Sequence, residues 1–209
     1  KEDQKAIYYL NAPSREMADA GPYMEAFRRK DLEVLYTEDA ADDYIFNLIG
    51  EYKGKKLVSA DQENLELPDI RGEASEDEML PENEIEGFKN WLKGVLGEKV
   101  SIIRESKRLV ESPAVVLNPE GFTGGLQRAV QAINRELGMK SPKILEINFR
   151  HGLIKNLNSL RKKDEQFAKI AAEQIFDNAL IAAGYLIDAS AMVSRISEIL
   201  ERAMASQIQ

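Results

Sequence analysis

The chain has 209 residues, 44% of them apolar and 31% charged, a composition ordinary for a globular protein, and no run approaches the roughly 18 apolar residues of a membrane span. It has no cysteine, which excludes a disulfide framework, a thiolate metal site and a cysteine nucleophile. The net charge of -8 is local: Asp61 to Glu86 carries eleven acids against the single base Arg71, and the other residues sum to +2, so there is no global basic footprint for nucleic acid.

Residues 5–58 alternate strand and helix signals. A β-rich Ala6 to Leu10 is followed by a helical Pro22 to Lys30, a short apolar Glu33 to Tyr36, a helical Asp39 to Glu51, and Lys56 to Ser59, a pattern that predicts a small α/β layer. In the helix after Asp39, Tyr44, Ile45, Leu48, Ile49 and Tyr52 recur at spacings of three and four; that face is expected to pack, with Asp42 and Asp43 solvated near the helix N-terminus. From Ala60 to Asn83 the acids, Pro68, Gly72 and Pro81 leave too little apolar surface to offset backbone ordering, and the stretch reads as a linker. The predicted domains are therefore 1–59, a linker at 60–83, and 84–209.

A helix from Glu84 carries Ile85, Phe88, Trp91, Leu92 and Val95 and stops at Gly97. Strands follow at Val100 to Glu105 and Ala114 to Leu117, then a turn at Asn118 to Gly121. Leu126, Val130, Ile133 and Leu137 next form an amphipathic stripe. Gly124 and Gly125 are expected to fray its first turn, although the amides of Gly121-Phe122-Thr123-Gly124-Gly125 could also cradle an anion. Neither glycine-rich nucleotide signature is present, and no nucleophile, base and orienting group assemble around this loop.

Ile144 to Ile147 is a strand leading to a helix from about His151 to Leu160, with His151, the lone histidine, expected to cap or pack. The basic residues Lys140, Lys143, Arg150, Lys155, Arg161, Lys162 and Lys163 read as a solvated face, without interleaved aromatics to bind a nucleic acid. A long helix follows to about Ala183, Gly184 interrupts it, and Asp188 caps a last helix running to about Ala205. The long helix is apolar on more than one face between Ile175 and Ile187, and the last one carries Met192, Ile196, Ile199, Leu200 and Ala203 as a wide stripe. Either these helices complete the core of their own subunit, or a second copy covers them in a four-helix bundle across a two-fold axis.

Several ordered motifs carry a family resemblance. Leu145-Glu146-Ile147-Asn148-Phe149-Arg150-His151-Gly152-Leu153-Ile154, with Gly121-Phe122-Thr123 before it and the two apolar helices after it, resembles the C-terminal dimerisation region of the heat-shock protein 90 chaperones. Lys1 to Tyr9, Leu32-Glu33-Val34-Leu35 and Asp42-Asp43-Tyr44 resemble the end of that family's middle domain. Phe149 stands where the family motif commonly has proline, and Gly124-Gly125 also departs from its usual pattern.

The resemblance implies an α+β fold: a small α/β layered segment, the acidic linker, and a mixed α/β domain ending in helices that form a four-helix-bundle homodimer. It implies a dimer interface at Ile175, Leu180, Ile181, Met192, Ile196, Ile199, Leu200 and Met204, where Lys163-Asp164-Glu165-Gln166-Phe167 through Met192-Val193-Ser194-Arg195-Ile196 falls in register with the family's final helices. It also implies contact with unfolded client proteins through Phe122, Leu126, Val130, Ile133 and Leu137, which on pattern alone could equally pack on neighbouring strands. No catalytic, cofactor or metal site is expected within these 209 residues. ATP and magnesium belong to upstream parts of a full-length member, so the expected partners are a second copy and client proteins, with neither nucleic acid nor membrane. The competing reading is a dimeric scaffold or regulatory module without chaperone activity. Lys1 reads as the cut boundary of a longer chain, and Ser206-Gln207-Ile208-Gln209, if a natural end, implies a bacterial cytoplasmic or an organellar branch.

Overall fold

Ala6–Asn11 (β1) carries Tyr8, Tyr9 and Leu10 into the interior and lies at the centre of a four-stranded sheet. In this computed structural model, which describes residues 1, 4–65, 67, 79–118, 124–133, 142–185 and 189–208, β1 pairs in parallel with β2 (Val34–Thr37) and with β4 (Lys55–Ser59). A two-residue strand β3 (Glu51–Tyr52) closes onto β4 through Lys53 and Gly54, both at positive φ (50° and 79°), the backbone that a two-residue hairpin of this twist requires.

Three helices cover this sheet. Ser14 caps α1 (Arg15–Ala20) by accepting the Met17 N–H, and α1 is too short and too polar to stand out in the sequence. The expected helix at 22–30 is a 3-10 turn, Pro22–Met24, followed by α2 (Glu25–Arg29), whose Phe27 is fully buried edge-on to Tyr8. Asp39 caps α3 (Ala40–Ile49) through the Ala41 N–H, and Gly50 ends it at φ 66°.

The structure corrects the expected orientation of α3. Tyr44, Ile45, Leu48, Ile49 and the following Tyr52 are 45–68% exposed, whereas Asp43 is 1% exposed. The face turned inward is the one holding Asp43 and Phe46, with Phe46 edge-on to Tyr9 at 5.0 Å. The apolar spacing does mark one face of α3, but that face points outward, while Asp43 turns inward and accepts the Gly125 N–H at 2.8 Å.

The second half begins with α4 (Glu82–Leu96), which buries Phe88, Leu92 and Leu96 and ends at Gly97. Strands β5 (Val100–Glu105), β6 (Ala114–Leu117) and β7 (Lys143–Ile147) form a sheet in the order β5-β7-β6, with β7 parallel to β5 and antiparallel to β6. Between β6 and β7 lies α5 (Gly124–Ile133). After β7 come α6 (Gly152–Lys163), α7 (Glu165–Ala182) and α8 (Ala189–Ile208). His151 Nδ1 accepts the Leu153 N–H at 3.0 Å and so caps α6. Gly184, at φ 77°, ends α7: its N–H reaches Ile181 O (2.8 Å) and the Tyr185 N–H reaches Leu180 O (3.0 Å), the paired closing bonds of a Schellman motif.

One hydrophobic cluster runs through both halves, from Tyr8 and Phe27 to Val115, Ile147, Phe149 and Phe176. Polar side chains tie the halves together by grasping backbone. The Tyr23 hydroxyl donates to Val116 O (2.5 Å), Glu25 accepts the N–H groups of Val110, Glu111 and Ser112 (2.5, 2.8 and 3.0 Å), and Arg108 donates to Ala60 O and Gln62 O (both 2.9 Å). Glu146 on β7 holds Arg108 and Arg104 in place at 3.1 and 3.0 Å. Ala60 and Asp61, at the start of the stretch that composition reads as linker, are thus buried along this joint; Pro68 to Glu78 lies outside the described residues.

Candidate functional site

The first turn of α5 meets the first half of the chain in a buried polar cluster. The Gly124 N–H donates to Asp61 Oδ2 (3.0 Å) and the Gly125 N–H to Asp43 Oδ2 (2.8 Å). The amides that could have cradled a bound anion are therefore engaged by the protein's own carboxylates, and a phosphate brought there would meet two buried acids. Glycine is required by the close approach: a Cβ on Gly124 would lie 2.2 Å from Asp61 Oδ2, and one on Gly125 2.5 Å from Asp43 Oδ2 and 2.7 Å from Asn11 Oδ1. The expected fraying does not occur, because the two aspartates satisfy N–H groups that a helix start leaves open.

Burial raises the Asp61 carboxyl above the usual carboxylate range, opposed first by the hydroxyl of Ser59, which donates at 2.5 Å. Arg128, one turn along α5, supplies compensating positive charge and donates from Nη2 to Asn11 O and Asn11 Oδ1 (both 2.6 Å). Its Nη1 donates to Ala183 O (3.1 Å) at the end of α7. Beside it, Lys143 is buried between Gln127, Asn118 and the Tyr185 ring (4.2 Å to the centroid), and burial pulls its ammonium down to about 8 against the attraction of Asp61. The sequence reading missed Asn11, Asp43, Asp61 and Arg128 as a set; the signal that could have found them is the Gly-Gly pair opening an amphipathic helix, which marks a close backbone approach.

Away from this cluster, most of the exposed large apolar side chains among the described residues fall in two places, with Leu35, Ile102 and Leu153 standing singly elsewhere. On α3 and β3 the five residues already named stand open, and α5 adds Val130 and Ile133, the latter 89% exposed. Of the other expected client-contact residues, Phe122 and Leu137 lie outside the described residues, as does the side chain of Leu126. The second place is the hairpin of α7 and α8. Arg195 pairs with Asp177 and Arg202 with Asp164 (2.8 Å), so α8 runs back antiparallel along α7. Within this hairpin Ile175 is buried in its own subunit, Leu180 packs against that core, and Met192, Ile196 and Ile199 are half-buried. Ile181 is more open, and Val193, Leu200 and Met204 form an outward stripe 53–60% exposed.

The basic residues do not converge: Lys143 is interior, Arg161 stacks on Phe88 and Trp91, Lys162 pairs with Glu84 at 2.7 Å, and Lys140 lies outside the described residues. Among the described residues, no helix is long and apolar enough to cross a membrane, and no group of three or more His, Cys, Asp or Glu side chains is placed to hold a metal ion.

Comparison with known proteins adds the family. The family model described as "Hsp90 protein" matches residues 1–209. The chain is 52% identical over 204 residues to the chaperone protein HtpG of Desulfitobacterium hafniense, covering 98% of this chain and 33% of that protein. It is 41% identical to the chaperone protein HtpG of Desulfotalea psychrophila, covering 97% and 34%, and 35% identical to the mitochondrial heat shock protein 75 kDa of Rattus norvegicus, covering 95% and 29%. The chain thus spans about one third of the length of the curated relatives it matches.

Proposed function

Since the chain belongs to the Hsp90 family of chaperones, we propose that it supplies such a chaperone with its subunit-joining helices and with part of the surface that contacts unfolded clients. What supports the reading is where apolar surface is left uncovered. Among the described residues, eleven of the fourteen exposed large apolar side chains lie on α3 with β3, on α5, or on the α7-α8 hairpin. Exposed apolar patches of this kind mark interaction sites.

The two patches suit different partners. The α8 stripe is narrow and regular, at spacings of seven and four, as a helix seam across a two-fold axis requires; we assign it to a second copy in a four-helix bundle. The α3-α5 surface is broad and mixes Tyr with Ile, Leu and Val. Such a surface offers weak, sequence-tolerant contact to many apolar segments. We place ATP and magnesium in the remainder of a full-length protein, where hydrolysis would drive opening and closing of the dimer. We assign it a bacterial cytoplasmic setting, or an organelle lumen if the source is eukaryotic, as the mitochondrial heat shock protein 75 kDa among its relatives would suit.

The test is suppression of aggregation of a denatured protein by the 209-residue chain. Ile133→Asp places a charge in the client surface at a side chain that makes little contact within the subunit. It should weaken suppression while leaving the dimer intact. Undiminished suppression would move the function from client contact to a scaffold that only joins subunits.

A further inference from the structure

Three bodies meet at Arg128: the end of β1, the first turns of α5, and the turn at Ala183 to Tyr185 that closes α7. Arg128 Nη2 donates to Asn11 O and Asn11 Oδ1, both at 2.6 Å, and Nη1 to Ala183 O at 3.1 Å. Ala183 O is one of the carbonyls that a helix C-terminus leaves without an intrahelical partner, and a cation there also suits the helix dipole. The turn is pressed against the same neighbours: a Cβ on Gly184 would lie 2.8 Å from Pro13 Cγ and 3.1 Å from Arg128 Cδ. Gly184 also closes α7, so its backbone conformation and its contact with Pro13 and Arg128 are set together.

We propose that Arg128 makes the seating of α5 on Asn11, Asp43 and Asp61 and the seating of the turn that closes α7 a single event, so that loosening either one releases the other. Arg128 is a positioning residue in this arrangement, and the inference stands independently of what the exposed surfaces bind. The physical reason is reciprocity. If α5 lifts from Asp43, Asp61 and Asn11, the guanidinium is carried away from Ala183 O. If the turn leaves, the guanidinium loses a partner that orients its fork toward Asn11, and a partly buried charge is left under-satisfied. Were α7 and α8 to join a second copy, the same contact would fix how that hairpin is set against the α3 surface.

The experiment is native-state hydrogen exchange on the 209-residue chain, read at the amides of Gly184 and Tyr185, which are bonded only within the α7 terminus, and at Gly125. Gly125→Ala forces α5 away from Asp43 and alters no atom of the turn. It should speed exchange at Gly184 and Tyr185 by about tenfold or more. In an Arg128→Met background, which removes the guanidinium and keeps the stem, both regions should exchange faster from the start, and Gly125→Ala should add nothing further at the turn. Amides of β7 serve as the fold control; if Gly125→Ala accelerates those as well, Asp43→Asn weakens the same contact without adding atoms and replaces it. Unchanged exchange at Gly184 and Tyr185 when α5 is loosened would overturn the proposal. So would an effect of the same size with Arg128 absent.

Discussion

The exposed face of α3 gives a prediction whose size can be worked from the structure. Leu48 is 68% and Ile49 53% exposed, and full burial of an aliphatic side chain of this size is worth about 1.5–3 kcal/mol. Scaled to the uncovered fractions, a client lying over both would gain about 2–3.5 kcal/mol from them. Replacing the pair by glutamine, Leu48→Gln with Ile49→Gln, removes that gain and preserves the helix, since glutamine is a better helix former than isoleucine. Affinity for a labelled unfolded polypeptide, followed by fluorescence anisotropy at fixed salt, should fall at least about thirtyfold. Stability measured by urea unfolding should stay within about 0.5 kcal/mol, because neither side chain supports the core. Unchanged affinity at unchanged stability would refute the reasoning and leave α3 as an apolar surface without that partner.

Three further outcomes follow from the interior. Glu25→Ala leaves the N–H groups of Val110, Glu111 and Ser112 to water and should lower the unfolding free energy by about 2 kcal/mol, with a loss under about 0.5 kcal/mol counting against the joint. Phe88→Ala opens the contact with Phe149 and Trp91 and should cost about 3–5 kcal/mol by the same assay. Lys143 has its ammonium pulled down to about 8 in the folded chain, below the 10.5 of an ordinary lysine, so between those values the unfolded chain binds more protons and raising the pH favours folding. The stability of the native chain relative to Lys143→Met should therefore rise from pH 7 to pH 10, by up to a few kcal/mol; a flat or falling difference would show that the ammonium is not held in a costly site.

Much of the fold was legible because it rests on local pattern. The strands Val100 to Glu105 and Ala114 to Leu117 were read at their observed bounds, and the helix stops at Gly97 and Gly184 follow from a backbone that only glycine adopts easily. The cap at His151 was likewise visible in the order of residues. What stayed hidden depends on groups distant in sequence. The inward face of α3 meets groups remote in sequence, Asp43 reaching Gly125 82 positions away and Phe46 reaching Tyr9, and no periodicity within α3 can report that. Short elements escaped for another reason: α1 and β3 hold too few residues to establish a period. At the joint, Glu25 accepts only backbone N–H groups, and Arg104 and Arg108 reach backbone carbonyls as well as Glu146; backbone groups carry no sequence signature.

The central claim is that Val193, Leu200 and Met204 are covered by a second copy of the chain. Sedimentation equilibrium across a dilution series, comparing the native chain with Leu200→Glu, tests it most directly. In a two-fold seam the substitution occurs twice, loses the burial of both leucines and puts two carboxylates into an apolar interface, whereas in an isolated subunit it falls on a half-exposed site. The expected result is a mass near twice 23.5 kDa for the native chain and 23.5 kDa for a folded Leu200→Glu variant. A native chain that remains at 23.5 kDa at every concentration, or a variant that dimerises as well as the native chain, would contradict the assignment.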